Sequence, residues 1–363
     1  MTVPFRSGFA AVVGRPNVGK STLVNRMVGS KVTITSPRPN TTRSQVRGVL
    51  NRPGSQVVFV DTPGLHKPRT PLGQRMNESA TSSLDDVDVV LALVEASGPI
   101  GPGDRMVLAH GVDRVRSLVR TWSRPTRPSA PSGVPGGVGQ AGGADDGDAG
   151  VPGDDGEAGL PGDGQAGGAD DGEAGGADGP GPTLLVVVNK IDRVGDDGVL
   201  THLAEASAVV DELMGRPGSG PVPVEYFPIS ATEGSGVDAL VDAVVERMPE
   251  GPRYYPEGMV TDVAEAWWVA DLVREQLLHR VEEELPHSIA CRVTEGEWPR
   301  IRCEILVERD SQKGIVIGRA GSVLKDVGTA VRAQLPAGAY LELFVRVERR
   351  WQHREDALDR LGL

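Results

Sequence analysis

The chain of 363 residues is long enough for two or three domains with substantial cores. Its net charge of −12 is unevenly placed: Ala141 to Pro180 holds eleven acidic residues and no basic one, so the remainder is near −1 and an RNA partner is not excluded. Two cysteines, Cys291 and Cys303, exclude a secreted disulfide framework, and no apolar run approaches the ~20 residues that cross a bilayer.

In chain order, Phe9–Val13 reads as a first strand. It is short and runs straight into a glycine loop, unlike the apolar core of a secretory leader, so a cytoplasmic protein with reduced thiols is expected. Further strands are expected at Gln56–Val60, Val87–Val94, Leu184–Val188 and Val224–Ile229. Helices are expected at Lys20–Val28, Arg105–Arg120, Leu200–Met214 and Gly236–Met248. This alternation is that of an α/β protein with a doubly wound parallel sheet.

Residues 123–182 interrupt it with a segment of Gly, Asp, Ala and Pro that contains the near-duplicates AGGADDGDAG and AGGADDGEAG. Glycines from Gly147 to Gly162 keep a three-residue period, but the register then fails and both ends are tethered within one domain, which excludes collagen. With so few apolar side chains the segment cannot offset its conformational entropy and reads as a solvated acidic insertion. An acidic tether for a basic partner, or a decoy that repels nucleic acid, is the functional alternative.

Pro249-Glu250-Gly251-Pro252 and the stretch around Pro256 and Gly258 mark a linker. Beyond it, Asp262 and Glu265 have capping-box spacing at the start of a helix reaching about Leu285. Strands Ser288–Val293, Ile301–Glu308 and Leu341–Val347, with helical Lys313–Gly318 and Val323–Leu335, complete a second α+β unit. The expected domains are therefore 1–250, a linker at 251–261, and 262–363.

The chemistry begins at Gly14-Arg15-Pro16-Asn17-Val18-Gly19-Lys20-Ser21, which fits the phosphate loop G-x-x-x-x-G-K-[ST]. The glycines let backbone N–H groups approach phosphates, Lys20 can reach the β and γ phosphates, and the Ser21 hydroxyl can ligate Mg2+. Asp61-Thr62-Pro63-Gly64 follows a strand end, where the carboxylate can hold the metal and the Gly64 N–H can face a γ-phosphate. Asn40-Thr41-Thr42-Arg43-Ser44 stands where a switch loop belongs. A threonine there can complete the metal shell when the γ-phosphate is present; Thr42 is preferred over Thr41, though spacing does not decide.

Asn189-Lys190-Ile191-Asp192 selects the base. A fixed carboxylate accepts from guanine N1–H and its amino group, whereas adenine would leave Asp192 unpaired; such sites discriminate by roughly 10⁴ to 10⁵. Ser230-Ala231-Thr232 is placed to back the base with main-chain N–H groups. The ordered set points to GTP and GDP as ligands. In the second unit, Gly318-Arg319-Ala320-Gly321 between helical segments has the form of a G-x-x-G loop that closes on single-stranded RNA, with Lys313, Arg319 and Lys325 near its phosphates. Residues 262–363 carry fifteen basic and eighteen acidic residues, so only local clusters such as Arg346, Arg349, Arg350 and Arg354 favour RNA. Trp351, Trp267 and Trp268 are expected in the core rather than as stacking platforms. Cys291 and Cys303 flank the Trp298-Pro299 turn and are expected to pack.

GRPNVGKSTLVN, NTTRS, DTPGLHKP, NKID and SAT, followed by YYPEGMVTD, EELPHSIACRV, KGIVIGRAGSVLKDVG and LELFVRVERRW, resemble the Era family of bacterial GTPases over nearly the whole chain except the insertion. The resemblance implies a Ras-like P-loop GTPase domain joined to a type II KH domain. It also implies a monomer that binds 16S ribosomal RNA, assists 30S ribosomal subunit maturation and associates peripherally with the inner face of the cell membrane. Lys20, Thr42 and Gly64 would be catalytic, and Ser21, Thr42 and Asp61 would hold Mg2+. Asn17 resembles the residue by which related GTPases hold K+ between the phosphates. Leu65 replaces the glutamine that orients water in Ras-type enzymes, which implies slow intrinsic hydrolysis. Two rival readings remain: an RNA-binding module with negligible turnover, and a membrane-linked signalling GTPase whose KH-like domain binds protein.

Overall fold

The computed structural model describes residues 4–66, 68, 70–84, 87–121, 181–215 and 222–363. The insertion read at 123–182 lies outside the described residues except for its last two. In chain order the first elements are β1 (Arg6–Gly14), α1 (Lys20–Val28), β2 (Val46–Arg52), β3 (Ser55–Asp61), α2 (Pro71–Ser82), β4 (Val89–Glu95), α3 (Pro102–Thr121), β5 (Leu184–Asn189), α4 (Asp196–Met214), β6 (Val224–Ile229) and α5 (Val237–Glu246). Six strands form one sheet in the order β2-β3-β1-β4-β5-β6. β2 runs antiparallel to β3 and the other pairs are parallel, so the sheet is mixed rather than purely parallel.

The unbroken apolar runs of β1 and β5 follow from burial on both faces. Ala11, Val13, Leu184, Val186 and Val188 pack with α3 and α4 on one side. Ala10, Val12, Leu185 and Val187 pack with α1 and α5 on the other. β2 lacks such a run because it is an edge strand. Its outer side is covered by the linker, where Val49 N–H donates to Val260 O at 2.8 Å and Gly48 bridges Thr261.

The second group comprises α6 (Glu265–Leu278), α7 (Leu285–Ser288), β7 (Ala290–Glu297), β8 (Arg300–Val307), α8 (Asp310–Ile317), α9 (Ser322–Arg332), β9 (Tyr340–Val347) and α10 (Glu355–Arg360). β8 lies between antiparallel β7 and parallel β9. The single long helix expected from Asp262 is instead two pieces. Ala264 precedes α6 without a side-chain cap, and Glu283 at φ 57° separates α6 from α7. Asp262 is spent elsewhere, accepting from Arg47 at 3.0 Å and from the Tyr255 hydroxyl at 2.8 Å. Cys303 pairs in register with Val293, and Cys291 with Ile305; both thiols are free. The hydrogen bond with Cys291, then burial, raises the Cys303 thiol. No described helix is long and apolar enough to cross a membrane.

Asp88 stands at the entry to β4, where its Oδ2 accepts from Phe9 N–H at 2.8 Å. Burial pushes its carboxyl up to about 6, against that bond. Because the folded value lies above the ordinary 3.8, the stabilisation from its proton is full below the ordinary value and lost as pH rises through about 6. Asp88→Asn keeps an acceptor for Phe9 and removes the charge. It is expected to raise Tm by a few degrees (about 1–2 kcal/mol) at neutral pH, with the gain vanishing near pH 4 in thermal melts.

Candidate nucleotide and RNA site

The loop from β1 to α1 wraps a cavity of about 390 Å³ lined by Pro16, Asn17, Gly19, Lys20 and Ser21 among others. Lys20 is buried, and its Nζ donates to Gly14 O at 3.1 Å and Arg15 O at 2.9 Å. Burial pulls its pKa down to about 8, partly offset by Asp61. Two members of the octapeptide are scaffold. Val18 is in the core, and Arg15 turns outward to Asp104 at 2.6 Å.

Beside Lys20 lies Asp61, fully buried, whose Oδ2 accepts from Ser21 at 2.7 Å, Thr33 at 2.9 Å and Thr42 at 3.2 Å. Burial raises the Asp61 carboxyl, while Lys20 and the three hydroxyls lower it. Its Oδ1 is buried without a partner. An anionic oxygen so placed, next to two hydroxyls 2.9 Å apart, suits a hard cation with oxygen ligands such as Mg2+. Of the two candidate threonines, Thr42 faces Asp61. Thr41 instead donates to Arg38 O at 2.8 Å and closes its own loop. Thr33 was not legible as a site residue, since a threonine in VTIT carries no motif.

After β3 the chain presses against the phosphate loop. A Cβ on Gly64 would fall 2.6 Å from Pro16 N, so only glycine fits, and Leu65 N–H donates to Gly14 O at 3.2 Å. Leu65 is 3% exposed and packs in the core. Thr62 turns back to Val12 O at 2.9 Å, so Thr62 and Pro63 are not cavity-lining residues.

At the other end of the cavity Asn189 is a brace. It is 1% exposed, donates to Val18 O at 2.7 Å and accepts from Ala231 N–H at 3.0 Å. Lys190 adopts φ 67°, and its Nζ reaches Asn17 O at 2.7 Å and Glu95 at 2.9 Å. Asp192 is exposed on the turn Ile191–Arg193. Its neighbours Lys190 and Arg193 line the cavity with Ala231 and Thr232, and Asp192 itself is not a lining residue. The Ser230 hydroxyl accepts from Glu233 N–H at 3.1 Å and shapes the adjoining turn.

The loop Gly318–Gly321 projects between α8 and α9. Gly318 has φ 74°, and a Cβ there would lie 2.8 Å from Val323 N. Arg319, Ala320 and Lys325 are exposed, while Lys313 is half-buried. The arginine cluster is less available than its sequence suggests: Arg346 pairs with Glu304 at 3.6 Å and Arg354 with Glu348 at 3.3 Å. Trp351 is fully buried, with Nε1 donating to Ser288 O at 2.9 Å. Trp267, expected in the core, is 46% exposed.

The switch loop touches both halves of this machinery. Thr35 N–H donates to Glu275 at 2.9 Å, Lys31 pairs with Glu275 at 2.5 Å, and Arg38 reaches Val281 O at 3.2 Å. From α2, Leu72 and Met76 pack with Trp351, Leu358 and Leu361, and Arg75 pairs with Asp359 at 2.7 Å.

Asn189→Ala would leave Val18 O and Ala231 N–H buried without partners, at ~1–3 kcal/mol each. Nucleotide affinity measured by calorimetry is expected to fall by about ten- to a hundredfold, with a lower Tm. Wild-type values for both would contradict the bracing role.

Residues 9–121 match the family model of a 50S ribosome-binding GTPase, and residues 284–352 that of a KH domain. The chain is 37% identical over 369 residues to the GTPase Era of Mycobacterium avium (strain 104), and equally to that of Mycolicibacterium smegmatis, covering 99% of both chains in each case. In structure it resembles Era in complex with MgGDPNP and nucleotides 1506–1542 of 16S ribosomal RNA, with TM-score 0.72, 30% identity and 99% coverage of both chains. It resembles a point variant of Aquifex aeolicus Era bound to GDP and aluminium fluoride with TM-score 0.70 at the same identity and coverage. The fold, the ordered motifs and the likeness over 99% of its length place this chain in the Era family of GTPases.

Proposed function

We propose that the chain is a GTP-hydrolysing switch that binds 16S ribosomal RNA through its KH domain and assists maturation of the 30S subunit. The observation that carries this reading is the shared loop: residues 31–43 contribute Thr33 and Thr42 to the Asp61 cluster and also contact α6. Its GTPase domain would span 1–250, the linker 251–261 and the KH domain 262–363.

In this reading Lys20 and the loop amides hold the phosphates, and the Gly64 N–H faces the γ-phosphate. Ser21, Thr42 and Asp61 would hold Mg2+, which when bound neutralises developing charge on the phosphate oxygens. Asn189 and Lys190 fix the base pocket, Asp192 accepts from the guanine edge, and Ser230 and Ala231 set the loop that backs it. Arg319 and Lys325 would meet RNA phosphates beside the Gly318–Gly321 loop, where the backbone comes close to the nucleotide chain. A peripheral association with the cytoplasmic face of the membrane belongs to the same reading by family likeness alone.

Asn17 supports one addition. Its Nδ2 donates to Pro37 O at 2.9 Å, bringing a switch-loop carbonyl beside the phosphate loop, where K+ could sit between the phosphates. Faster hydrolysis in KCl than in NaCl is expected, and equal rates would remove the K+ site.

Asp192→Asn is expected to shift selectivity from GTP toward xanthosine triphosphate, with GTP affinity falling by at least about a hundredfold. Unchanged GTP preference would contradict the base assignment. Arg319→Glu with Lys325→Glu is expected to weaken single-stranded RNA binding and flatten its salt dependence by about two charges, read by fluorescence anisotropy across KCl concentrations. RNA affinity equal to wild type would move the interface elsewhere.

A further inference from the structure

At each end of the switch loop, consecutive residues face opposite ways. Thr33 and Thr42 turn their hydroxyls to Asp61 Oδ2. Their successors, Ile34 and Arg43, are buried against the KH domain. Ile34 is 1% exposed in the core with Leu272, Val273 and Ile289. Arg43, 7% exposed, donates to Ile289 O at 2.7 Å, His287 O at 3.2 Å and Pro286 O at 3.4 Å. Its guanidinium also lies 5.5 Å from the centre of the buried Trp351 ring. On the other side of Thr42, Thr41 O accepts from Arg274 of α6. Thr42 is thus suspended between two contacts that both belong to the KH domain.

The Arg43 guanidinium is held by carbonyl oxygens and an aromatic face, and its Nε is buried without a partner, so its desolvation is only partly offset.

We infer that Arg43 is a positioning residue for the GTPase: by seating on the Pro286, His287 and Ile289 carbonyls and the Trp351 ring, it ties the placement of Thr42 over the metal site to docking of the KH domain. This rests on the nucleotide-switch reading above and identifies the device that carries it. By reciprocity, the factor by which RNA changes GTP-over-GDP discrimination equals the factor by which the nucleotide state changes RNA affinity, so a residue that carries the coupling moves both together.

The test uses the full chain with Arg43→Gln and Arg43→Lys, measuring kcat and KM for GTP, Kd for GDP and for a non-hydrolysable GTP analogue with Mg2+ in the presence and absence of RNA, and RNA affinity in each nucleotide state. Arg43→Gln is expected to lower kcat about tenfold or more while KM changes less than about threefold. The change that RNA makes in GTP-analogue over GDP discrimination, and the ratio of RNA affinities between the two states, should each fall by a common factor of about five or more. Arg43→Lys should recover part of both, because an ammonium still meets the carbonyls; if the glutamine variant does not fold, the lysine variant decides on the same readouts. A purely structural role would lower Tm alike in every nucleotide state. Wild-type kcat and unchanged linkage in a folded variant overturn the inference. If the wild type itself shows no linkage between RNA and nucleotide, the switch reading fails, and kcat alone decides whether Arg43 holds Thr42.

Discussion

One carboxylate oxygen, Asp61 Oδ2, accepts hydroxyl hydrogen bonds from three places in the chain: Ser21 at the start of α1, and Thr33 and Thr42 at the two ends of the switch loop. A fully buried carboxylate is tolerated only when it is well bonded or beside a cation. The sheet order satisfies the first condition by placing the ends of β1 and β3 side by side, with Val12 opposite Asp61. Lys20 and the unpartnered Oδ1 address the second. The same requirement closes the loop 31–43 over the phosphate cavity.

That loop makes contacts on both of its sides. Ile34 is buried in the KH core, and Arg43 and Thr35 spend their polar groups on α6 and the turn around α7. The helix after Gly64 does likewise, with Met76 and Leu72 packed on Trp351 and α10. Both the loop 31–43 and α2 are therefore parts of the wall between the GTPase and KH domains. Closely packed walls have discrete arrangements rather than a continuum, which suits a two-state response.

What could be read in the sequence tracks the reach of the interactions involved. The phosphate loop, Asp61 and the Asn189–Asp192 turn, each at a strand end, and the buried runs of β1 and β5 are short-range patterns, legible without the tertiary structure. β2 and α2 gave no reading: β2 is a one-sided edge covered by the linker, and α2 carries Gly73, Asn77, Ser79 and Ser82, with Leu72 and Met76 packed against Trp351. The helix at Asp262 failed because Asp262 found long-range partners in Arg47 and Tyr255 in place of a capping role. Thr33 carries no motif weight, and Arg43, though it lies within NTTRS, has no role assigned by that stretch; their roles exist only once β3 and the KH domain are folded around them. The exposure of Trp267 and the pairing of Arg346 and Arg354 with carboxylates are likewise tertiary facts.

The central claim is that the switch loop is one wall with two faces, so metal-site order and KH docking rise and fall together. Hydrogen exchange of the full chain, with GDP and then with a non-hydrolysable GTP analogue and Mg2+, measures both faces at once. The account predicts that amides of residues 31–43 and of residues 285–291 gain protection together in the triphosphate state. Protection gained over 31–43 with residues 285–291 unchanged would contradict it.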